Sequence, residues 1–210
     1  MKRIITFLIT FITITISAQT LQFNKSVTIE VTSNEGDKVP FEYFFSTNQK
    51  DLSCMKVDPS TMEDSGEAAG EIYMVFSKKQ NIVYMNMMGM KMKKSIGKTD
   101  MMQYNNYDKI DTANITQTGK TKRVLGYLCY EYLAKTKEAT THVWATTASF
   151  PITGTFIPIL GMRNESKVIK GFVLEIVLKS KNGNGRVAVT EINKNAKLVI
   201  NTSEYKSMGF

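Results

Sequence analysis

The chain has 210 residues and a mass of 23.7 kDa, the size of one domain or of one domain with a leader segment. Hydrophobic residues make up 42% and charged residues 22% of the chain, which excludes a disordered protein and a polytopic membrane protein. The net charge is +8, but with one histidine and two cysteines the chain lacks the ligands for zinc sites built from several such residues.

The first residues have the pattern of a secretory signal peptide. Lys2 and Arg3 precede an apolar run over residues 4–16, which is too short to span a bilayer, and small residues follow it. We predict cleavage after Ala18, which leaves residues 19–210 as a single β-rich domain. Because the leader carries two basic and no acidic residues, the net charge falls from +8 to +6. The predicted location is the periplasm or the outer-membrane periphery of a Gram-negative-type cell.

Alternation of apolar and polar residues predicts β-strands along the mature chain. The predicted buried positions, in chain order, are Val27, Ile29 and Val31; Phe41, Tyr43 and Phe45; Ile72, Met74 and Phe76; and Phe172, Leu174, Ile176 and Leu178. Residues 77–81 and 182–185 are typical of hairpin turns. Such strands and turns predict a curled antiparallel sheet of about eight to ten strands, an incomplete barrel.

Residues 124–134 are predicted as one strand and residues 142–145 as a short one. In the longer strand, one face is predicted to carry Tyr127, Cys129, Glu131 and Leu133, and the other Leu128, Tyr130 and Tyr132. Apolar residues on both faces indicate either that protein covers both faces or that one face lines a ligand cavity. Helical signals predict one or two short helices, the best at residues 147–160, which contain two prolines.

The two cysteines, Cys54 and Cys129, both lie in apolar surroundings. Export permits a disulfide, which would close a long loop and stabilise the fold by roughly 4 kcal/mol. Two separate buried thiols are the alternative, because cysteine packs well as a small hydrophobic residue. The sequence leaves both arrangements open.

Several segments together resemble a family of bacterial exported proteins whose domain has no assigned function. The most specific segment is Lys122-Arg123-Val124-Leu125-Gly126-Tyr127-Leu128-Cys129-Tyr130-Glu131-Tyr132. The supporting segments are Tyr84-Met85-Asn86-Met87, Val143-Trp144-Ala145-Thr146, Gly171-Phe172-Val173-Leu174-Glu175 and Thr190-Glu191-Ile192. That family is similar in fold to the lipoprotein-carrier (LolA/LolB-like) superfamily. The resemblance implies a curved antiparallel sheet around apolar helices in the cell envelope, and it implies no catalytic residues.

A methionine-rich stretch is the sharpest local feature of the chain. Strand alternation would place Met88, Met90 and Met92 on one face, and Met85 with Met87 on the other. Thioether sulfur favours Cu(I), so Met87, Met88 and Met90 are candidate Cu(I) ligands. Methionine is also a flexible filler of apolar cores and grooves, which is the more ordinary interpretation.

Lysines at positions 91, 93, 94 and 98 follow these methionines and suggest either peripheral contact with an anionic lipid surface or a solvated strand end. A nucleic-acid partner is not expected for an exported protein of this modest charge. We expect no enzymatic activity and no cofactor, because phosphate-binding, dinucleotide and nucleophile-elbow motifs are missing from the sequence.

The sequence therefore predicts an exported, non-enzymatic protein that binds a lipid or another apolar ligand in the concave face of its sheet. The candidate ligand-binding residues are Tyr84, Met88, Met90, Tyr130, Tyr132 and Trp144. Two alternatives stay open. One is a methionine-rich Cu(I)-binding protein, and the other is a structural domain that presents a sheet edge to an envelope protein.

Overall fold

The structure is a computed structural model that describes residues 20–49, 52–59, 70–77, 80–96, 115–148 and 168–208. These residues form fourteen β-strands and one turn of 3₁₀ helix at Thr202–Glu204. The strands are β1 Thr20–Phe23, β2 Lys25–Thr32, β3 Lys38–Phe45, β4 Ser53–Val57, β5 Gly70–Phe76, β6 Asn81–Met87, β7 Met90–Ile96, β8 Ile115–Val124, β9 Tyr127–Lys135, β10 Ala139–Thr146, β11 Phe172–Ser180, β12 Gly183–Asn193, β13 Leu198–Asn201 and β14 Lys206–Ser207.

Twelve of the described strands form one curved sheet that is not closed into a barrel, in the order β14-β7-β6-β5-β4-β3-β2-β12-β11-β10-β9-β8. Neighbouring strands are antiparallel, apart from the short parallel pair of β14 and β7. The predicted mainly β fold with a curled, incomplete barrel is therefore confirmed. The strand number is higher than predicted, because pairs of strands are joined by turns as short as two residues.

One face of the sheet, here called the inner face, carries the larger of two buried apolar clusters. Cross-strand register places Tyr132, Val143 and Ile176 in one row of this face. Val27 and Tyr43 form another row farther along the sheet. Side chains at the centre of the inner face, such as Val27, are fully shielded from solvent. The face is apolar because the alternating apolar positions predicted for β2, β3 and β5 lie on it.

The opposite face, here called the outer face, is divided into two halves. Over β3 to β6 it carries the smaller apolar cluster, which includes Phe44, Cys54 and Tyr84. A two-stranded ribbon of β1 and β13 supplies Phe23 and Ile200 to the same cluster and covers it. Over β9 to β12 the outer face instead carries charged side chains, which are described below.

Two hairpins differ from the sequence-based expectation. Residues 124–134 are not one strand: Leu125 and Gly126 form a turn with φ of 50° and 81° between β8 and β9. Met88 and Gly89 form an equivalent turn, with φ of 49° and 79°, between β6 and β7. Two positive φ angles are typical of the type I′ turn, which matches the twist of paired strands. The methionine stretch therefore folds back on itself, and the predicted placement of Met88, Met90 and Met92 on one strand face was wrong.

Other predictions on local structure are confirmed or shifted by a few residues. β5 and β6 form the predicted hairpin, and the hydroxyl of Ser77 donates a hydrogen bond to the carbonyl of Gln80 over 2.6 Å. The turn predicted at residues 182–185 lies slightly earlier, because β12 already begins at Gly183. The two predicted faces of β9 are confirmed by the pairing of Tyr132 with Val143 and of Glu131 with Trp144. The predicted helix at residues 147–160 lies almost entirely outside the described residues.

Candidate functional site

The inner face has an apolar margin on β5, β6 and β7 that differs from its buried centre. The register places Ile72 opposite Met85, and Met85 opposite Met92. The adjacent row pairs Met87 with Met90 across the turn. We call this margin the methionine surface and define it as Ile72, Met74, Val83, Met85, Met87, Met90 and Met92.

Exposure of the inner face rises toward this margin. Val27 and Tyr43 at the centre are fully buried. Along the methionine surface the side chains are half-buried, and Met90 at its end is 60% exposed. The apolar face is thus continuous from a closed centre to a margin that solvent reaches. Contiguous exposed apolar surface of this kind is a feature of ligand- and partner-binding sites.

The six ligand residues predicted from the sequence do not come together. Met90 lies on the methionine surface, whereas Tyr130 and Tyr132 lie on the inner face of β9, at the other side of the sheet. Tyr84 and Trp144 are on the outer face, since they pair with Tyr73 and Glu131. Met88 occupies the β6–β7 turn and is 81% exposed. A turn of two residues reverses the chain there, which alternation alone did not indicate.

The charged half of the outer face is built around two buried carboxylates, the first of which is Glu131 on β9. This residue is only 3% exposed. His142 Nδ1 lies 2.7 Å from Glu131 Oε1, and the Thr118 hydroxyl donates a 2.6 Å hydrogen bond to Oε2. Burial alone would raise the pKa of Glu131, but these hydrogen bonds and the charge of Lys120 lower it below its ordinary value.

The second buried carboxylate is Glu175 on β11, which is 6% exposed. Lys122 donates to Oε2, and Arg186 Nε donates to Oε1 over 2.7 Å. Burial alone would raise the pKa of Glu175, yet these two cations lower it. The Lys122 ammonium also lies 4.3 Å from the centre of the Trp144 ring, and Trp144 separates the two carboxylates across the sheet.

This charged cluster (Thr118, Lys122, Glu131, His142, Trp144, Glu175 and Arg186) has the contacts of a structural network. Each oxygen of the two carboxylates has a hydrogen-bonding or charged partner, and these partners stabilise the ionised form of the glutamates. A general acid needs the opposite, an environment that stabilises its protonated form. Sequence reasoning did not identify the cluster. The sequence does contain one signal for it: Glu131 on β9 and Glu175 on β11 are each surrounded by apolar residues of a strand that is otherwise largely buried.

The cysteines lie in different apolar clusters as free thiols, so the disulfide that the sequence left open is not formed. Burial raises the pKa of Cys54, and the charge of Glu42 raises it further. Burial also raises the pKa of Cys129, although a backbone hydrogen bond from Val124 and the neighbouring Lys122 act in the opposite direction. Both thiols are therefore poor nucleophiles in the folded protein.

The lysines that follow the methionines lie on different faces of the sheet. Lys91 pairs with Glu204 on the outer face and lies 5.8 Å from the Tyr205 ring centre. Lys93 donates to the carbonyl of Thr202, whereas the register places Lys94 on the inner face opposite Val83. Lys98 lies outside the described residues, so the expected basic patch is divided between the two faces.

Within the described ranges, no three side chains of the His, Cys, Asp or Glu type are grouped so as to hold a metal ion. The same ranges contain no helix with the length and hydrophobicity needed to cross a bilayer.

Comparison with known proteins identifies one family and several similar structures. Residues 23–151 match the family profile described as "Domain of unknown function (DUF4412)", and the match confirms the family resemblance seen in the sequence. Among curated protein sequences, none is significantly similar to this chain.

The similar solved structures have low identity. PNGF-II is 18% identical with a TM-score of 0.44, and the match covers 90% of this chain but 30% of PNGF-II. LprF from Mycobacterium bovis is 12% identical with a TM-score of 0.35, covering 82% of this chain and 87% of LprF. A LolA superfamily protein from Nitrosomonas europaea is 10% identical with a TM-score of 0.29, covering 83% of this chain and 86% of that protein.

Proposed function

The chain belongs to the DUF4412 family, and we propose that this member binds a lipid or an acyl chain on the inner face of its sheet. The observation that carries the proposal is the continuity of the apolar inner face from a buried centre to the solvent-reached methionine surface. The bound chain lies along the methionine surface, with its end toward the buried centre of the face.

The chemistry of the methionine surface supports this ligand class. Methionine has three rotatable side-chain bonds and a polarizable sulfur, so it packs against apolar ligands of varied shape. Covering this half-buried apolar margin with a ligand also stabilises the complex, by roughly 25 cal/mol per Å² of apolar area removed from water. We propose that the protein performs this binding without catalysis, after export to the periplasm or the outer-membrane periphery.

Native mass spectrometry of the leader-processed protein, purified from its own compartment without detergent, is the first test. We expect an additional mass that extracts into organic solvent. A bare protein mass, together with no saturable binding of a dansylated fatty acid, contradicts the proposal. That outcome favours a packed domain that contacts an envelope protein.

A matched pair of variants locates the bound ligand. Met90→Glu places a carboxylate on the methionine surface, and Val199→Glu makes the same kind of change on β13 of the ribbon. The two positions are almost equally exposed, at 60% and 62%. We expect Met90→Glu to weaken dansyl fatty-acid binding by at least about tenfold, which corresponds to 1.4 kcal/mol. Val199→Glu should leave binding unchanged, and equal effects of both variants would contradict this location.

A further inference from the structure

The β6–β7 hairpin brings four methionines to one face in a compact arrangement. Met85 pairs with Met92, and Met87 pairs with Met90. Residues directly opposite each other in an antiparallel pair have Cβ atoms about 4.5–5.5 Å apart, and successive residues on one face are about 7 Å apart. The four side chains therefore start from the corners of a small rectangle, and their length and flexibility allow the sulfurs to converge.

The turn determines this arrangement. Met88 and Gly89, both at positive φ, set the register that places Met87 opposite Met90. The Met87 sulfur lies over Gly70 on β5, 2.7 Å from the position that a Cβ of residue 70 would occupy, and rotation of this flexible side chain toward β7 brings it to Met90. The thioethers are reached by solvent, since Met90 is exposed and the other three are half-buried.

We propose that the thioethers of Met85, Met87, Met90 and Met92 form a binding site for one soft monovalent cation of the Cu(I) type. Thioether sulfur is a soft ligand that selects Cu(I) over harder ions. The four donors are neutral, so they suit a monovalent cation better than a divalent one, whose charge they would leave uncompensated. This site goes beyond the proposed lipid binding and does not depend on it.

The site differs from the ligand set suggested by the sequence. The sequence suggested Met87, Met88 and Met90 as thioether ligands, whereas the hairpin places Met88 in the turn and adds Met85 and Met92. Strand pairing across the hairpin, rather than spacing along it, selects these donors.

The test is titration of the mature protein with Ag(I), which is inert to oxidation, and with Cu(I) under anaerobic conditions. Labelling the methionine methyl groups with carbon-13 allows each of them to be followed by NMR. We expect one equivalent of metal to bind and to shift the methyl signals of Met85, Met87, Met90 and Met92. Signals of Met55 and Met74 on β4 and β5 should shift less. No saturable binding, or shifts confined to other methionines, overturns the proposal.

Replacing the four methionines with leucine tests the sulfur ligands directly, because leucine keeps the side chain apolar and removes the sulfur. We expect affinity for Ag(I) to fall by at least about a hundredfold, or 2.8 kcal/mol. Met55→Leu, two strands away from β6, is the control and should keep the metal affinity.

Should the fourfold variant fail to fold, the pairs Met85→Leu with Met92→Leu and Met87→Leu with Met90→Leu provide the same comparison. Unchanged metal affinity in folded leucine variants overturns the proposal. If the wild-type protein binds the metal but does not bind the fatty acid, only the proposed function is contradicted.

Discussion

The two halves of the outer face show two ways of covering one sheet. Over β3 to β6, the ribbon of β1 and β13 buries an apolar cluster. Over β9 to β12, the charged cluster satisfies its buried carboxylates with Lys122, Arg186, His142 and Thr118. The first half depends on apolar packing, which responds little to pH and is not screened by salt, and the second depends on electrostatic pairing, which is sensitive to both.

The largest expected effect is on the ribbon-covered half. Phe23 is buried in the smaller cluster, so Phe23→Ala should lower the free energy of unfolding by about 3–5 kcal/mol. Urea denaturation of the mature protein measures this. Val199→Ala, on the other strand of the ribbon but exposed, is the control and should change stability by less than about 0.5 kcal/mol. A similar loss in both variants would show that the ribbon does not protect a packed cluster.

A smaller effect is expected from the charged half. Glu175→Gln removes the negative partner of Lys122 and Arg186, which both retain partial access to water. We expect the free energy of unfolding to fall by about 2 kcal/mol. The exposed Glu191 on β12 offers the same substitution outside the cluster, and Glu191→Gln should be nearly neutral. Equal values for the two variants would contradict a structural role for Glu175.

The decrease in stability at acid pH, here called the acid limb, gives a further test of the comparison between the two halves. The pKa values of Glu131 and Glu175 are lower in the folded protein than in the unfolded chain. The unfolded state therefore binds more protons in acid, so stability falls as pH decreases below the ordinary glutamate pKa of about 4.3. Urea denaturation at several values between about pH 6 and pH 3 should show this fall in the free energy of unfolding. The double variant Glu131→Gln with Glu175→Gln should show a weaker dependence on pH.

Glu204, beside the ribbon, is the control for the acid limb. Its pKa is also lowered, by Lys91 and Asn201, but Glu204 is exposed to solvent. Glu204→Gln should therefore keep most of the acid sensitivity. If this variant flattens the curve as much as the double variant does, the assignment of acid sensitivity to the charged half is wrong.

The smallest expected effect is at the rim of the charged half. Lys38 lies 3.2 Å from Glu30, and its side chain is largely exposed. Lys38→Ala should lower the free energy of unfolding by about 0.5 kcal/mol in low salt and by less in high salt. A loss as large as that of Glu175→Gln would show that burial does not decide the strength of these ion pairs.

Much of the fold was predictable from the sequence, because strand alternation is a local property. Val27, Ile29 and Val31, or Phe41, Tyr43 and Phe45, alternate clearly enough for the residue pattern alone to assign the inner face. The site was less predictable, because its geometry depends on which strand lies next to which. Glu131 and Glu175 are 44 positions apart in the chain, yet both pair with Trp144.

The sequence by itself determined the strand class, the apolar face of each strand and the family, since all three depend on residue types in a local order. The tertiary structure decided three further properties. The turn at Met88 and Gly89 brought four methionines to one face, and the ribbon of β1 and β13 covered only half of the outer face. The pairing of β9, β10 and β11 assembled the charged cluster. These properties depend on contacts between distant segments, which periodicity along the chain does not encode.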